Sequence, residues 1–284
     1  MHLLGDQREH EGLRHRHLPL RGLQVLQRGI RRRRIGRGLQ RQGQPRIERR
    51  TVSYDFIVPL REEIRTLRAQ LQGGGHWTRD IVFTQDNGRM LISVGSGSNV
   101  DDPDTHPREF HRAAVLAYTP EGKFLKVFAS GLRNCVGEAI NPITGALWCS
   151  TNERDGLGNH LVPDYVTSVP EDGFFGWPWF YMGGHQDPRL PGKHPELKSK
   201  VITPDVLVQP HMASLQMTFY SASGSFPASY YGDAFVAEHG SWNRADRAGY
   251  EVIRIPMKKD GHAEGSYERS EERRVGKECL RLCR

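Results

Sequence analysis

The sequence predicts an all-β protein with long loops. Glycine and proline together make up 48 of its 284 residues, and they separate short runs of β-branched or aromatic residues. Five Trp, eleven Phe and nine Tyr supply material for a packed core, which excludes a wholly disordered polymer. No apolar run reaches the roughly eighteen residues of a membrane span, and no secretory signal is visible after the N-terminal charges.

Charge is distributed unevenly along the chain. The net charge is +7, but residues 1–50 alone carry +10, from fourteen Arg, no Lys and four acidic residues. The remaining 234 residues therefore sum to −3. Because the part with strand patterns is mildly acidic, we expect no nucleic-acid-binding groove there.

The two ends of the chain differ from its middle. Residues 1–50 contain no aromatic residue and cannot build a core; they fit a basic arm for RNA or anionic lipid, a disordered lead-in, or a GC-rich coding region translated out of frame. We favour the frame-shifted interpretation. The predicted organisation is an Arg-rich segment at 1–50, a transition at 51–72, a β domain at 73–267 and a charged tail outside the fold at 268–284.

Repeated hairpins define the middle of the chain. Strand-like runs at 80–84 and 90–94 flank an Asn-Gly turn, and runs at 136–141 and 146–150 repeat that layout, with Gly145 lying 57 positions after Gly88. Further strands are expected at 115–118, 124–129, 233–237 and 250–256. Hairpins at this spacing predict propeller blades, about four of them within 73–267. A sandwich would show more regular spacing than the long loops expected at 95–112 and 151–214 allow.

Polar clusters stand in the loops next to these strands. His76, in the run GGGHWTRD, has the chemistry of a general base near neutral pH, although a histidine taken alone is more often a hydrogen-bonded surface residue. Arg133 and Asn134 suit a ligand with carboxylate or carbonyl groups, or an ion pair between blades. A later loop, Glu238 to Arg244, again joins His239, Trp242 and Arg244 to a strand end. Their shared position at strand ends predicts a single central site.

An acidic loop gathers oxygen donors. Glu153 and Asp155 lie in the run NERDGLGN, and Asp164 follows in VPDY. Such a set suits a hard cation such as calcium, whereas the spacing is not that of an EF-hand and equally fits carboxylates that cap turns. The aromatic run 173–181 fits packing between blades or the wall of a planar ligand site.

The chain contains four cysteines. Cys135 and Cys149 lie on the two strands of one predicted hairpin, where either a cross-strand disulfide or two buried thiols would fit. Cys279 and Cys283 fall in the tail, and no cysteine or histidine spacing indicates zinc.

Taken together, the motifs resemble the glucose/sorbosone dehydrogenase family of soluble quinoproteins, in particular its L-sorbosone dehydrogenase-like branch. The resemblance covers residues 73–256 and rests on GGHWTRD, VGSGSNVDD, ASGLRN, LWCSTNERDGLG, VPDY, GWPWFY, MTFYS and EHGSWNR. It implies a six-bladed β-propeller, here incomplete, that is exported to the periplasm or beyond. It also implies pyrroloquinoline quinone and calcium as cofactors, and oxidation of an aldose or related aldehyde with electrons passed to an external acceptor.

The resemblance also assigns roles to residues. His76 matches the family's base, Arg133 and Asn134 match the pair beside the quinone oxygens, and Arg244, His239 and Trp242 fall where the cofactor's carboxylates are bound. The loop with Glu153, Asp155 and Asp164 lies where the family binds calcium, although NERD departs from the pattern of glucose enzymes. Two other functions stay open: an extracellular propeller that binds carbohydrate or protein without catalysis, and a calcium-dependent lactonase.

Overall fold

Nearly all regular structure in the computed structural model of this protein is β-strand. The structure describes residues 74–221 and 226–270. The described strands, in chain order, are β1 Ile81–Phe83, β2 Met90–Val94, β3 Ala114–Tyr118, β4 Phe124–Ser130, β5 Cys135–Ile140, β6 Leu147–Thr151, β7 Pro163–Ser168, β8 Gly173–Phe174, β9 Phe180–Tyr181, β10 His185–Gln186, β11 Val206–Pro210, β12 Ser214–Phe219, β13 Ala234–Glu238, β14 Glu251–Ile255 and β15 Glu268–Arg269. The helices among the described residues are three short 3₁₀ segments, Pro107–Glu109, Pro195–Lys200 and Ala228–Tyr230.

Three four-stranded antiparallel arrangements contain most of these strands. The first sheet has the order β1-β2-β3-β4, with β8 added parallel to β4. The second has the order β5-β6-β7-β11, and the third β12-β13-β14-β15. Strands β9 and β10 form a separate two-stranded ribbon. The prediction of an all-β protein built from repeated hairpins is therefore confirmed.

The predicted hairpins lie close to their observed positions. In the β1–β2 hairpin, Asn87 has a φ of 56°, a left-handed conformation that Asn tolerates better than most residues. The prediction of a long loop at 151–214 was wrong, because strands β7 to β11 lie within these residues. Strand β7 pairs on both sides, with β6 and β11, although its Pro, Asp, Thr and Ser residues hide the usual strand pattern.

Alternating side chains join the sheets into a continuous core. In β6, Leu147 and Cys149 pack toward the first sheet, whereas Trp148 packs with buried residues of the third sheet. This alternation follows from the two-residue period of a strand, and it buries both faces of the second sheet. The second sheet therefore lies between the other two.

The first strands of the three sheets meet at one place. Asp80, directly before β1, accepts hydrogen bonds from the backbone N–H of Glu138 on β5 and from Gln216 on β12. On β5, Gly137 has no side chain, and a Cβ there would lie 2.7 Å from the Cα of Gln216. Glycine is required for this close approach of the strands. The arrangement is the one expected of neighbouring propeller blades.

Several predictions about organisation fall partly outside the described residues. The Arg-rich segment 1–50, the transition 51–72 and residues 271–284 lie there. Strand β15 begins one residue after the domain boundary predicted at residue 267 and pairs with β14. The described part of the chain contributes three blade-like sheets, so about four blades in this chain and six in a full ring stay predictions.

Candidate active site

A polar cavity of about 210 Å³ lies where loops from all three sheets converge. The loops are those before β1, between β4 and β5, after β6, between β11 and β12, and after β13. The residues that line it are His76, Arg133, Asn134, Asn152, Glu153, Asp155, Asp164, His211, Ala213, Trp242 and Asn243. Seven of the nine predicted site residues are in this set, so the structure brings them together at one place.

His76 has a defined tautomer in the cavity wall. Its Nδ1 lies 2.9 Å from the hydroxyl oxygen of Ser96 and 3.1 Å from the Ser96 carbonyl oxygen. The Ser96 hydroxyl donates its own hydrogen to the carbonyl oxygen of Ser98, at 2.6 Å, so toward His76 it can only accept. Nδ1 therefore carries the hydrogen, and Nε2 keeps its lone pair without a partner among the described residues. Burial and the nearby Arg133 guanidinium lower the pKa of His76 from 6.5 to about 4, which keeps the ring neutral at pH 7.

Arg133 is buried and is held by two loops. Its guanidinium donates to the side-chain and backbone oxygens of Asn99, at 3.0 and 3.2 Å, and to the Glu153 carbonyl oxygen, at 2.8 Å. Its Nη2 atom also lies 3.6 Å from the Asp155 carboxylate. A guanidinium anchored in this way presents a fixed positive charge to the cavity.

Two side-chain amides of the cavity lining have oxygen atoms without a hydrogen-bond partner in the described part of the chain. The Oδ1 atoms of Asn134 and Asn243 are buried and accept no hydrogen bond from any described residue. Both residues line the cavity. Because buried acceptors are normally satisfied, these atoms are available to accept from the N–H or O–H groups of a ligand or to contact a cation.

Gly95 creates the space for Asn134 beside His76. A Cβ atom at this position would collide with Asn134 Oδ1 and would lie 2.6 Å from the Cβ of His76. Any larger residue would therefore displace both side chains, because 2.6 Å is far inside van der Waals contact.

Asp155 connects several groups that line the cavity. Its Oδ1 accepts a short hydrogen bond from Asn243 Nδ2 and lies 3.3 Å from His211 Nδ1. His211 is buried, and its Nε2 lies 3.0 Å from the Gly158 carbonyl oxygen. The loops after β6, β11 and β13 are thereby joined through one carboxylate.

The other two predicted calcium ligands already have protein partners. The carboxylate of Asp164 accepts the backbone N–H of Glu153 at 2.7 Å and that of Ala213 at 2.8 Å. Glu153 Oε2 accepts from the backbone and side chain of Arg154, at 3.1 and 2.9 Å. Burial raises the pKa of Asp164 from 3.8 to about 7. Asp164 thus has the contacts of a residue that fastens two loops.

Three residues of the loop after β13 occupy different environments. Trp242 lines the cavity and is 78% exposed, so its ring stands at the mouth. His239 and Arg244 do not line the cavity; His239 is exposed and its Nδ1 lies 3.1 Å from the Gly240 carbonyl oxygen. Arg244 donates to Gln209 and to a backbone carbonyl at 3.3 Å, while its buried Nε has no partner in the described region.

Two further features bear on the predicted metal and disulfide. Within the described ranges, one set of three side chains could hold a metal ion, with ligand atoms within 4.8 Å of one another. It consists of Asp102, Asp104 and His194, and it lies outside the predicted calcium loop.

Cys135 and Cys149 form a disulfide between β5 and β6, which decides between the two alternatives for this pair.

Sequence reasoning missed several residues of the site. Asn152, His211 and Asn243 line the cavity, and Asn99 holds Arg133, but none was assigned a role. Asn152 and Asn243 stand in the same strand-end loops as predicted residues, so their position was the available signal. His211 follows a strand that the sequence did not reveal, and it adopts a φ of 65°.

Comparisons with known proteins agree with this architecture. Residues 193–280 match a family model described as TrAA12-like. A protein of Borreliella burgdorferi is 31% identical over 184 residues, which cover 64% of this chain and 46% of that protein. The pyrroloquinoline quinone-dependent pyranose dehydrogenase of Coprinopsis cinerea is 23% identical, over 72% of this chain and 33% of the enzyme.

Solved structures show the same fold. The holo form of the PQQ domain of that pyranose dehydrogenase aligns with a TM-score of 0.53 at 21% identity, covering 70% of this chain and 56% of the domain. A carbohydrate-active enzyme of family AA12 from Trichoderma reesei aligns with a TM-score of 0.58 at 18% identity, covering 68% and 56%. The chain spans about half the length of these structures and less than half of the two sequence relatives.

Within the described ranges, no helix is both long and apolar enough to cross a membrane.

Proposed function

We propose that this chain carries the active site of a pyrroloquinoline quinone-dependent sugar oxidoreductase. Its substrate is an aldose or a sorbosone-type aldehyde, and its electrons pass to an external acceptor. The observation that carries the proposal is the neutral imidazole of His76, whose Nε2 is unpartnered in the described region and which lines a polar cavity with Arg133 and Asn134. The pyranose dehydrogenase and AA12 relatives support this class of chemistry.

His76 supplies the base in this proposal. Oxidation of a sugar hydroxyl, or of the hydrate or hemiacetal of an aldehyde, removes the proton from the hydroxyl oxygen and a hydride from the carbon that bears it. Because the Nδ1 position already bears hydrogen, the incoming proton binds at Nε2. The lowered pKa of His76 means that the base is unprotonated throughout the neutral range.

The residues around the cavity fit a planar, anionic quinone. Arg133 provides the positive charge for its carbonyl and carboxylate oxygens, whereas the buried, unpartnered Oδ1 atoms of Asn134 and Asn243 are acceptors and suit a sugar hydroxyl or a calcium ion. Arg133 and Asn134 would hold the quinone, with Trp242 at the mouth of the cavity; Arg244 and His239 stay in the proposal as more distant binding residues. When bound, pyrroloquinoline quinone supplies the two-electron acceptor for the hydride. The Arg133 guanidinium would favour the negative charge that accompanies reduction of a bound quinone.

Calcium enters the proposal through Glu153 and Asp155. Asp155 is partly exposed at the cavity, and hard oxygen donors of this kind suit calcium. Asp164 is buried and each of its oxygens already accepts one backbone N–H, so its contacts fit a structural role better, although each oxygen keeps a free lone pair for a metal.

Export to an oxidising compartment is part of the same proposal. The disulfide between Cys135 and Cys149 supports it, because disulfides persist in the periplasm or outside the cell and are rare in the cytosol. The sugar substrate and a separate electron acceptor would meet the protein there.

Titration of the full chain with pyrroloquinoline quinone, with and without calcium, tests the proposal. We expect saturable binding, followed by reduction of the cofactor when glucose or sorbosone is added. His76→Gln should retain quinone binding and lose turnover by roughly 10²–10⁴-fold, the usual contribution of a positioned base. Arg89→Lys, at an exposed ion pair with Glu171, is the matched control.

The outcomes separate the candidate functions. Quinone binding with wild-type turnover in His76→Gln would refute the role of the base. Lactone hydrolysis that needs calcium and not quinone would instead support a lactonase. Sugar binding without either activity would support a non-catalytic propeller.

A further inference from the structure

Two loops of the first sheet are packed together around His76. A Cβ on Gly75 would lie 2.5 Å from the carbonyl oxygen of Gly97, so glycine alone permits this approach. The backbone N–H of His76 donates to the Ser96 carbonyl oxygen at 3.0 Å. The backbone of His76 is therefore fixed against the segment that also contacts its ring.

A buried arginine fastens these two loops. The guanidinium of Arg112 donates to the carbonyl oxygens of Gly74 at 2.7 Å, His76 at 3.2 Å, Gly95 at 2.9 Å and Ser96 at 3.1 Å. Four carbonyl acceptors from both loops, all on one rigid planar group, set the distance between the loops. The side chain is 7% exposed, so water competes weakly for these donors.

Ser96 is placed to select one tautomer of the imidazole. Both of its oxygens face Nδ1 of His76, and its hydroxyl hydrogen is directed to Ser98. A ring with hydrogen on Nε2 would set the Nδ1 lone pair against two acceptor oxygens. That repulsion disfavours the Nε2–H tautomer, in which Nε2 cannot accept a proton.

We propose that Ser96 and Arg112 are positioning residues for His76: Arg112 holds the two loops at a fixed separation, and Ser96 holds the ring in the Nδ1–H tautomer. The inference rests on the proposed role of His76 as a base. It adds two residues that do not line the cavity and that contact His76 from behind.

The tautomer can be measured without any turnover. Nitrogen-15 NMR of the labelled full chain, with the His76 signals assigned by comparison with His76→Gln, should show a protonated Nδ1 and an unprotonated Nε2 at pH 7. Ser96→Ala removes one of the two acceptors and should yield a detectable fraction of the Nε2–H tautomer. A wild-type ring with hydrogen on Nε2, or an unchanged tautomer in a folded Ser96→Ala, would overturn the role of Ser96 whether or not the chain oxidises sugars.

Kinetics provide a second readout. Ser96→Ala should lower kcat by about 10-fold to 100-fold with quinone affinity unchanged, since a misplaced base affects the chemical step. Ser168→Ala, which removes a hydroxyl that donates at 2.7 Å to Asp205 on the second sheet, should leave turnover at the wild-type level. Equal losses in both variants would show that Ser96 has only a structural role.

Arg112 has its own test, which also applies if Ser96→Ala does not fold. Burial, Arg133 and Arg112 lower the pKa of His76, whereas the Ser96 backbone bond and Asp155 raise it. Arg112→Gln should therefore raise this pKa, as seen by NMR titration of the ring and as a shift of the acid limb of kcat/KM to higher pH. Arg112→Lys keeps the charge but not the four bonds, so it should lower kcat with a smaller shift in pH. An unchanged His76 pKa in a folded Arg112→Gln, together with unchanged kcat in Arg112→Lys, would overturn the role of Arg112.

Discussion

Cys135 and Cys149 are joined by a disulfide immediately beside the residues that line the candidate site. Cys135 begins β5 and directly follows Asn134, and Cys149 lies on β6 three residues before Asn152. Both sulfur-bearing residues are buried in the core between the first and second sheets. The bond therefore fixes the relative positions of the two strand ends from which Arg133, Asn134 and Asn152 reach the cavity.

Removing this bond should lower stability and weaken the site. In the chain-entropy description, a cross-link that closes a loop of about 15 residues stabilises a protein by about 3 kcal/mol, and the two cysteines here are 14 positions apart. We expect the Cys135→Ala, Cys149→Ala double variant to lose a similar free energy of unfolding, measured with urea. Reductant should destabilise the wild-type chain and leave the double variant unchanged; equal stability of both proteins without reductant would contradict the prediction.

Gly95→Ala should displace His76 and Asn134 together. The new Cβ would overlap both side chains, and overpacking of this kind commonly costs about 1–3 kcal/mol. Quinone binding and turnover should fall together, because the wall of the cavity is moved and not merely one functional group. Gly88→Ala is the matched control, since its Cβ would meet only the exposed, flexible side chain of Asp86. Wild-type quinone affinity in Gly95→Ala would show that the wall adapts.

Stability should fall as the pH rises from about 5 to 8. Burial raises the pKa of Glu238 from 4.5 to about 8, and that of Asp164 from 3.8 to about 7. The folded state therefore holds these protons more tightly than the unfolded state. The stability they confer is complete below about pH 4 and is lost as the pH rises through the folded-state values.

Glu238→Gln should reduce this dependence on pH. The amide keeps an oxygen that can accept from Ser214, which now donates at 2.8 and 3.1 Å, but it cannot ionise. A tenfold change in proton affinity corresponds to about 1.4 kcal/mol, so the variant should gain on the order of 1 kcal/mol or more over the wild type at pH 8 relative to pH 5. Urea unfolding at both pH values measures the difference. Glu121→Gln, at an exposed turn, should behave as the wild type, and an unaltered slope in Glu238→Gln would refute the assignment.

The sequence predicted those parts of the molecule that depend on local chemistry. The Asn87-Gly88 turn and the alternation of Leu147, Trp148 and Cys149 are properties of a few adjacent residues, and the corresponding hairpins were found. The sequence also predicted that Arg133 and Asp155 would lie in one site, because both follow the ends of strands and such loops of neighbouring blades lie on the same side of a propeller.

Contacts with distant backbone atoms were beyond the reach of such rules. In the described part of the chain, Arg112 donates to four carbonyl oxygens whose positions arise from the packing of two loops. Strand β7 was missed because polar residues stand on both sides of its buried Tyr165 and Val166, so the sequence shows no alternation of apolar and polar residues there. His239 and Arg244 share a motif with Trp242, but the loop turns so that Trp242 alone of these three lines the cavity.

Arg154 should be one of the largest single contributors to the stability of the acidic loop. It is fully buried, and its guanidinium donates to the carboxylates of Glu153 at 2.9 Å and Asp187 at 3.1 Å. It also donates to the carbonyl oxygens of Pro178 at 2.6 Å and Phe180 at 2.7 Å. Arg154→Met would leave two buried carboxylates with fewer partners, a change that typically costs about 3–5 kcal/mol. Because Glu153 lines the cavity, quinone affinity should fall as well.

The exposed ion pairs of the first sheet provide the control for Arg154. Lys126 lies 3.2 Å from Glu171 and 2.6 Å from Asp172, with 39% of its side chain exposed, and such pairs contribute about 0–1 kcal/mol. Urea unfolding of Arg154→Met and Lys126→Ala should therefore differ by several kcal/mol. Similar losses in the two variants would mean that the buried network adds little beyond an exposed pair, because the desolvation of its charges offsets their attraction.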